Sequence, residues 1–158
     1  MKFLVTKSLH NASFFKYLIG FLSLFIILFL MTDSLLHHLQ IGLTLEKASF
    51  SLFGNEEEFL EPLLFSSLLL QVHIDLFLSM FVVFVTLVSY IRLYEKSKYL
   101  TQTIHIFYLV TMASSLSLLL SYFMASNIII FIWIILFISW HIMGLYLNSK
   151  ILWKIIRL

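Results

Sequence analysis

The sequence predicts an all-α membrane protein: a four-helix transmembrane bundle with both termini in the cytoplasm. Three observations carry this. Hydrophobic residues make up 61% of the chain and charged residues only 11%, against about 25% charged in a soluble domain. The apolar residues gather into four runs, each near the length of about 20 residues that a helical span requires. Finally, nine of the ten Lys and Arg fall within residues 2–16, 92–98 and 150–157, with Lys47 alone on the other side. The positive-inside rule then places the termini and the 92–98 connection in the cytoplasm and the first long connection outside. The expected location is a bacterial-type inner (plasma) membrane, multi-pass. The 158 residues read as a single transmembrane domain.

The first helix is expected at roughly 15–37. Lys2, Lys7 and Lys16 precede the apolar run Tyr17 to Met31, as in a signal peptide. The run is followed by Thr32-Asp33-Ser34-Leu35-Leu36, with no small-x-small cleavage site, so it reads as an uncleaved span. Asp33 and His37 then fall at its outer end. His10 belongs to the solvated N-terminal segment.

Residues 38–61 form the external acidic loop, with Glu46, Glu56, Glu57, Glu58 and Glu61 against Lys47. Gly54-Asn55 signals a turn. Asn55 is placed to cap a short helix opening on Glu56-Glu57-Glu58, with Glu58 completing a capping box. Leu43, Leu45, Phe50, Leu52 and Phe53 suggest that the loop lies along the membrane interface.

The second helix is expected at 62–94, opening at Pro62, which cannot continue a helix from before it. Its polar residues fall on two faces. Gln71, Asp75, Ser79, Thr86 and Ser89 cluster within about 40° of Asp75. His73 points about 160° away, so His73 and Asp75 address different neighbours and this helix is expected at the bundle centre.

Helices at 102–124 and 128–147 are joined by Ala125-Ser126-Asn127, short enough for an antiparallel hairpin. Ala113, Ser117, Ser121 and Ala125 repeat every four residues and form a stripe of small side chains that admits a neighbouring backbone. Ser114 lies at a different angle. The tail carries Lys150, Lys154 and Arg157 among Ile151, Leu152, Ile155 and Ile156. It either lies on an anionic membrane surface or extends the last helix.

Several chemistries are excluded or unsupported. The chain has no cysteine, which removes disulfides, Fe–S clusters, thiolate zinc sites and covalently attached haem. No Gly-x-Ser-x-Gly, phosphate loop or His-Glu-x-x-His is present. A net charge of +2, with cations at the ends of apolar runs, gives no nucleic-acid footprint. The expected partners are the lipid bilayer and other membrane subunits or a second copy of the chain.

What remains is a set of histidines and carboxylates at membrane depth, where a functional role is the default reading. Helical rise puts His73 about 15 Å and Asp75 about 20 Å from the outer end of the second helix, with His141 about 9 Å and His105 about 5 Å from the inner surface. One reading is haem b, held by His105 and His141, or by His73 and His141, with Gly144 leaving room beside His141. Another is a proton or ion path through Asp75 and His73. Asp33, His37 and His38 form a weak candidate for an external metal. Against all of these stands a plain structural role, in which the polar side chains hydrogen-bond across helices and fix the bundle. The chain is therefore read as a non-enzymatic accessory or subunit of a membrane complex carrying an intramembrane histidine and carboxylate site.

Overall fold

The structure, a computed structural model, describes residues 13–94 and 98–157. His10, Lys2, Lys7 and Lys96 lie outside these. Five helices follow in order: α1 Ser13–Gln40, α2 Leu45–Phe53, α3 Phe65–Leu93, α4 Leu100–Met124 and α5 Asn127–Ile156. No strand occurs among the described residues. Four helices (α1, α3, α4 and α5) are long and apolar enough to cross a membrane. At 1.5 Å per residue the shortest of them spans about 37 Å, more than a hydrocarbon core of about 30 Å. The outer faces stay apolar, with Phe77, Phe84, Phe123 and Ile142 all exposed, as lipid contact demands.

The central helix is α5, which packs against α1, α2, α3 and α4. The expectation that the second span is central fails because His73 faces outward and makes no inward contact for it. The α4–α5 hairpin forms as expected. Ala125 adopts the left-handed conformation (φ 43°), and the Ser126 carbonyl accepts from the Ile129 and Ile130 amides at the start of α5. Thr111, Ser114, Ser115, Ser117 and Ser121 are buried on α4, whereas Ala113 is half-buried and Ala125 exposed. The small-residue face is thus broader than a single row and includes Ser114. Its hydroxyls turn back on their own helix: Thr111 donates to the Phe107 carbonyl at 2.8 Å, Ser117 to Ser114 at 2.8 Å and Ser121 to Leu118 at 2.7 Å. These three hydroxyls are therefore satisfied within α4, while Ser114 and Ser115 line a small cavity.

The acidic loop differs most from expectation. Its helix is α2, upstream of Asn55, with Thr44 at the N-cap accepting from the Lys47 amide and Glu46 in the first turn. Gly54 ends it at φ 81°, where an added Cβ would stand 2.8 Å from the Leu60 carbonyl oxygen. Asn55 does not cap a helix. It exchanges two backbone hydrogen bonds with Leu60, and its side chain accepts from the Glu57 amide at 3.0 Å. Residues 56–59 thus form a turn between the paired Asn55 and Leu60, because two-residue Asx bonding satisfies the backbone locally and competes with helix. Ala48 and Leu52 of α2 are buried with Leu68, Ile130 and Trp133, so the loop helix packs onto the bundle. Pro62 leaves 62–64 extended, and α3 starts at Phe65.

α5 does not stop at 147. It continues to Ile156, burying Asn148 and Ile151, so the basic tail extends the last helix. Lys150 lies over the rings of Tyr90, Tyr94 and Tyr146 at 5.8, 5.0 and 5.6 Å. The core divides into two apolar clusters. One holds Ile41, Leu68, Val72, Ile134 and Phe137. The other holds Ile26, Leu30, Val82, Trp140 and Leu147. Asp33 and His37 lie between Leu30 and Ile41, and Asp75 between Val72 and Val82, whereas on α5 His141 directly follows Trp140.

Candidate functional site

Three helices each bring an i, i+4 pair to one place. On α1 the pair is Asp33 and His37, on α3 Gln71 and Asp75, on α5 Phe137 and His141. This spacing stacks two side chains on one helix face. His37 and His141 are buried, at 1% and 4% exposure. The Phe137 ring lies between them, 4.6 Å from the His37 ring and 4.1 Å from that of His141.

Both imidazoles are held in the same way. His37 Nδ1 donates to the Asp33 carbonyl at 3.1 Å, and His141 Nδ1 donates to the Phe137 carbonyl at 2.8 Å. A carbonyl only accepts, so the Nδ1 proton is fixed and Nε2 turns toward the carboxylates. His37 Nε2 lies 2.9 Å from Asp75 Oδ2, and His141 Nε2 lies 3.0 Å from Asp33 Oδ2. Gln71 completes the set by donating to Asp75 Oδ1 at 3.0 Å. Asp33 Oδ1 stands 3.6 Å from His37 Nδ1, which links the two pairs. Each carboxylate is thus matched with an imidazole, which offsets the cost of burying it.

A cavity of about 20 Å3 adjoins the carboxylates, lined by Asp33, His37, Asp75, Ser79, Ser114 and Ser115 among others. That is room for one water or one small ion. One ligand atom each from Asp33, His37 and Asp75 lies within 4.8 Å of the others.

The sequence-predicted residues are therefore redistributed. Asp33 and His37 belong to this interior site and not to an outer rim. The third member beside them is Asp75; His38 is exposed and lines a surface groove with Lys47 and Glu58. The His37 ring bonds the Asp33 carbonyl rather than the carboxylate of that residue. Asp75 finds its histidine partner on another helix, as its depth required. His73 and His105 are exposed on α3 and α4, and neither is brought to His141.

The arrangement does not fit a bis-histidine haem b. Both nitrogens of His141 are engaged, by Phe137 and Asp33. The space beside Gly144 is filled by Leu30 and Phe107, whose atoms come within 2.8 and 3.6 Å of where a Cβ would stand. Gly144 therefore admits a close helix, not a flat cofactor.

The arrangement defines a helical protein with four helices long and apolar enough to cross a membrane and a histidine–carboxylate cluster among three of them. Comparison of the chain with protein-family models, curated proteins and solved structures finds no match, so a functional reading rests on this geometry.

Proposed function

We propose that the chain is a small, non-enzymatic protein of a bacterial-type inner membrane, an accessory or subunit of a membrane complex, and that its working part is a cation-binding site formed by Asp33, His37, Asp75 and His141. The observation that supports this is the closure of two carboxylates and two imidazoles from three helices on one another, between two apolar clusters. Stability alone gives little reason for such a site, because well-packed apolar replacements of buried ion pairs are often neutral or stabilising. Two carboxylates facing a water-sized cavity suit a cation. The apolar clusters on either side favour holding it over passing it across the bilayer.

The test replaces charge and keeps shape. Asp33→Asn, Asp75→Asn and the double variant are expressed in cells lacking the wild-type gene. Folded protein in the membrane and rescue of the deletion phenotype are scored separately. Each variant is expected to accumulate and to fail in rescue. A double variant that accumulates and rescues fully would falsify the reading.

Both termini are assigned to the cytoplasm from the cation distribution. The chain has no native thiol, so Glu57→Cys and Ser149→Cys each give a single label site. Glu57→Cys should react with an impermeant reagent from outside and Ser149→Cys from inside. The reverse pattern would invert the topology.

A further inference from the structure

We propose that the cation is a divalent first-row transition metal, ligated by Asp33, His37 and Asp75, with His141 and Gln71 as positioning residues. This rests on the reading of the site as cation-binding. The donor atoms are already gathered within 4.8 Å of one another. His37 Nε2 and Asp75 Oδ2 are 2.9 Å apart, close to the separation of about 3 Å that two ligands at 2.0–2.2 Å from one ion adopt.

The surroundings are those of a metal site as well. A ligating histidine usually donates its other ring nitrogen to a carbonyl or carboxylate, and ligating carboxylates are themselves hydrogen-bonded. His37 Nδ1 is spent on the Asp33 carbonyl. His141 holds Asp33 Oδ2 and leaves Oδ1 for the ion. Gln71 holds Asp75 Oδ1 and leaves Oδ2. The cavity that Asp33, His37 and Asp75 help to line accommodates one ion or water.

The two carboxylates and a neutral His37 balance the charge of a divalent ion, and His141, which donates from Nδ1 to the Phe137 carbonyl, holds Asp33 through a second proton on Nε2 just outside the ligands. Donor type selects the metal class. A nitrogen with two oxygens suits zinc, manganese or ferrous iron, whereas calcium and magnesium prefer oxygen alone and cuprous copper prefers sulfur.

The test uses the full chain purified in detergent and stripped with a chelator. It is dialysed against ZnCl2 or MnCl2, and bound metal is counted by mass spectrometry. One ion per chain is expected, with a rise in melting temperature. Asp33→Asn, His37→Ala and Asp75→Asn should abolish stoichiometric binding, and His141→Gln should weaken it about 10- to 100-fold. His38→Ala, His73→Ala and His105→Ala should bind as wild type. Circular dichroism reports folding; where His37→Ala does not fold, Asp75→Asn decides, since it keeps shape and hydrogen bonding. No bound ion at millimolar free metal, or full binding by folded Asp75→Asn, overturns the proposal. If no metal binds but the Asn variants still fail in rescue, the metal is removed and the cation site stands. If they rescue, both readings fall.

Discussion

His141 of α5 pairs with Asp33 of α1. Its Nε2 lies 3.0 Å from the carboxylate across 108 residues of chain, and its Nδ1 is tied to the Phe137 carbonyl. The pair joins α1 and α5, with the His141 side chain 6% and the Asp33 side chain 12% exposed. His141→Leu would leave the Asp33 carboxylate buried beside apolar atoms. Breaking a buried pair in this way costs about 3 to 5 kcal/mol. The double variant Asp33→Leu/His141→Leu removes both polar groups and should recover most of that loss. Titration of the helical signal with SDS measures both. A double variant no more stable than His141→Leu would show that the pairing is not what stabilises the contact.

Asn148 makes the corresponding link in the other half of α5. Its amide donates to Thr86 Oγ1 of α3 and to the Gly144 carbonyl, both at 2.9 Å. Asn148 and Thr86 are each fully buried. No charge is involved, so a smaller effect is expected. Asn148→Ala and Thr86→Val should each cost about 0.6 kcal/mol, the average for interhelical hydrogen bonds in membranes, and no more than about 1.7 kcal/mol. The double variant should cost less than the two losses added together, since they report one bond. Strict additivity in the same SDS titration would remove the Asn148–Thr86 coupling.

The four long apolar helices were legible because apolar runs of that length are read as helices from the sequence. The site was only partly so, and the reason lies in helix ends. With the first helix ending at 37, Asp33 sits about 6 Å from the outer end; with the second starting at 62, Asp75 sits about 20 Å in. On those numbers they never meet. The structure ends α1 at Gln40 and starts α3 at Phe65. The depths then become about 10 and 15 Å, within reach of a bridging His37. Errors of three residues at two ends hid the cluster. The i, i+4 pairs Asp33/His37 and Gln71/Asp75 were the available signal. His141 was singled out by depth, but its partner could not be, because facing directions on separate helices are set by packing.

The serine face of α4 gives a prediction that departs from simple periodicity. Ser114 and Ser117 are both buried, although they stand on different rows of the helix. Ser114→Leu and Ser117→Leu should therefore impair the bundle alike. Overpacking of this kind typically costs about 1 to 3 kcal/mol. Leu116, between them, is exposed to 54%, and Leu116→Ala should be tolerated. Membrane accumulation and gel-filtration profile would measure this. Normal behaviour of Ser114→Leu beside a failing Ser117→Leu would restore the single-row interface.

Gly144 gives the sharpest steric prediction. It is buried where α5 meets α1, and an added Cβ would come within 2.8 Å of Leu30 Cδ1 and 3.6 Å of Phe107 Cζ. The first contact is too short to persist. Leu30 is itself fully buried in the cluster with Ile26, Val83 and Phe107, so its methyl can yield only by displacing packed neighbours. Gly144→Ala should therefore destabilise despite alanine's higher helix propensity, which favours it by about 1 kcal/mol. Gly144→Leu should separate α1 from α5 altogether. Because Asp33 is three residues beyond Leu30 on α1, that separation should also pull it from His141. The relieving change is Leu30→Ala, which clears the space a Cβ would enter. Gly144→Ala/Leu30→Ala should accordingly lose less than the two single losses combined in the SDS titration. If Gly144→Ala alone melts at or above the wild-type temperature, the close approach at Gly144 does not limit how α1 seats on α5.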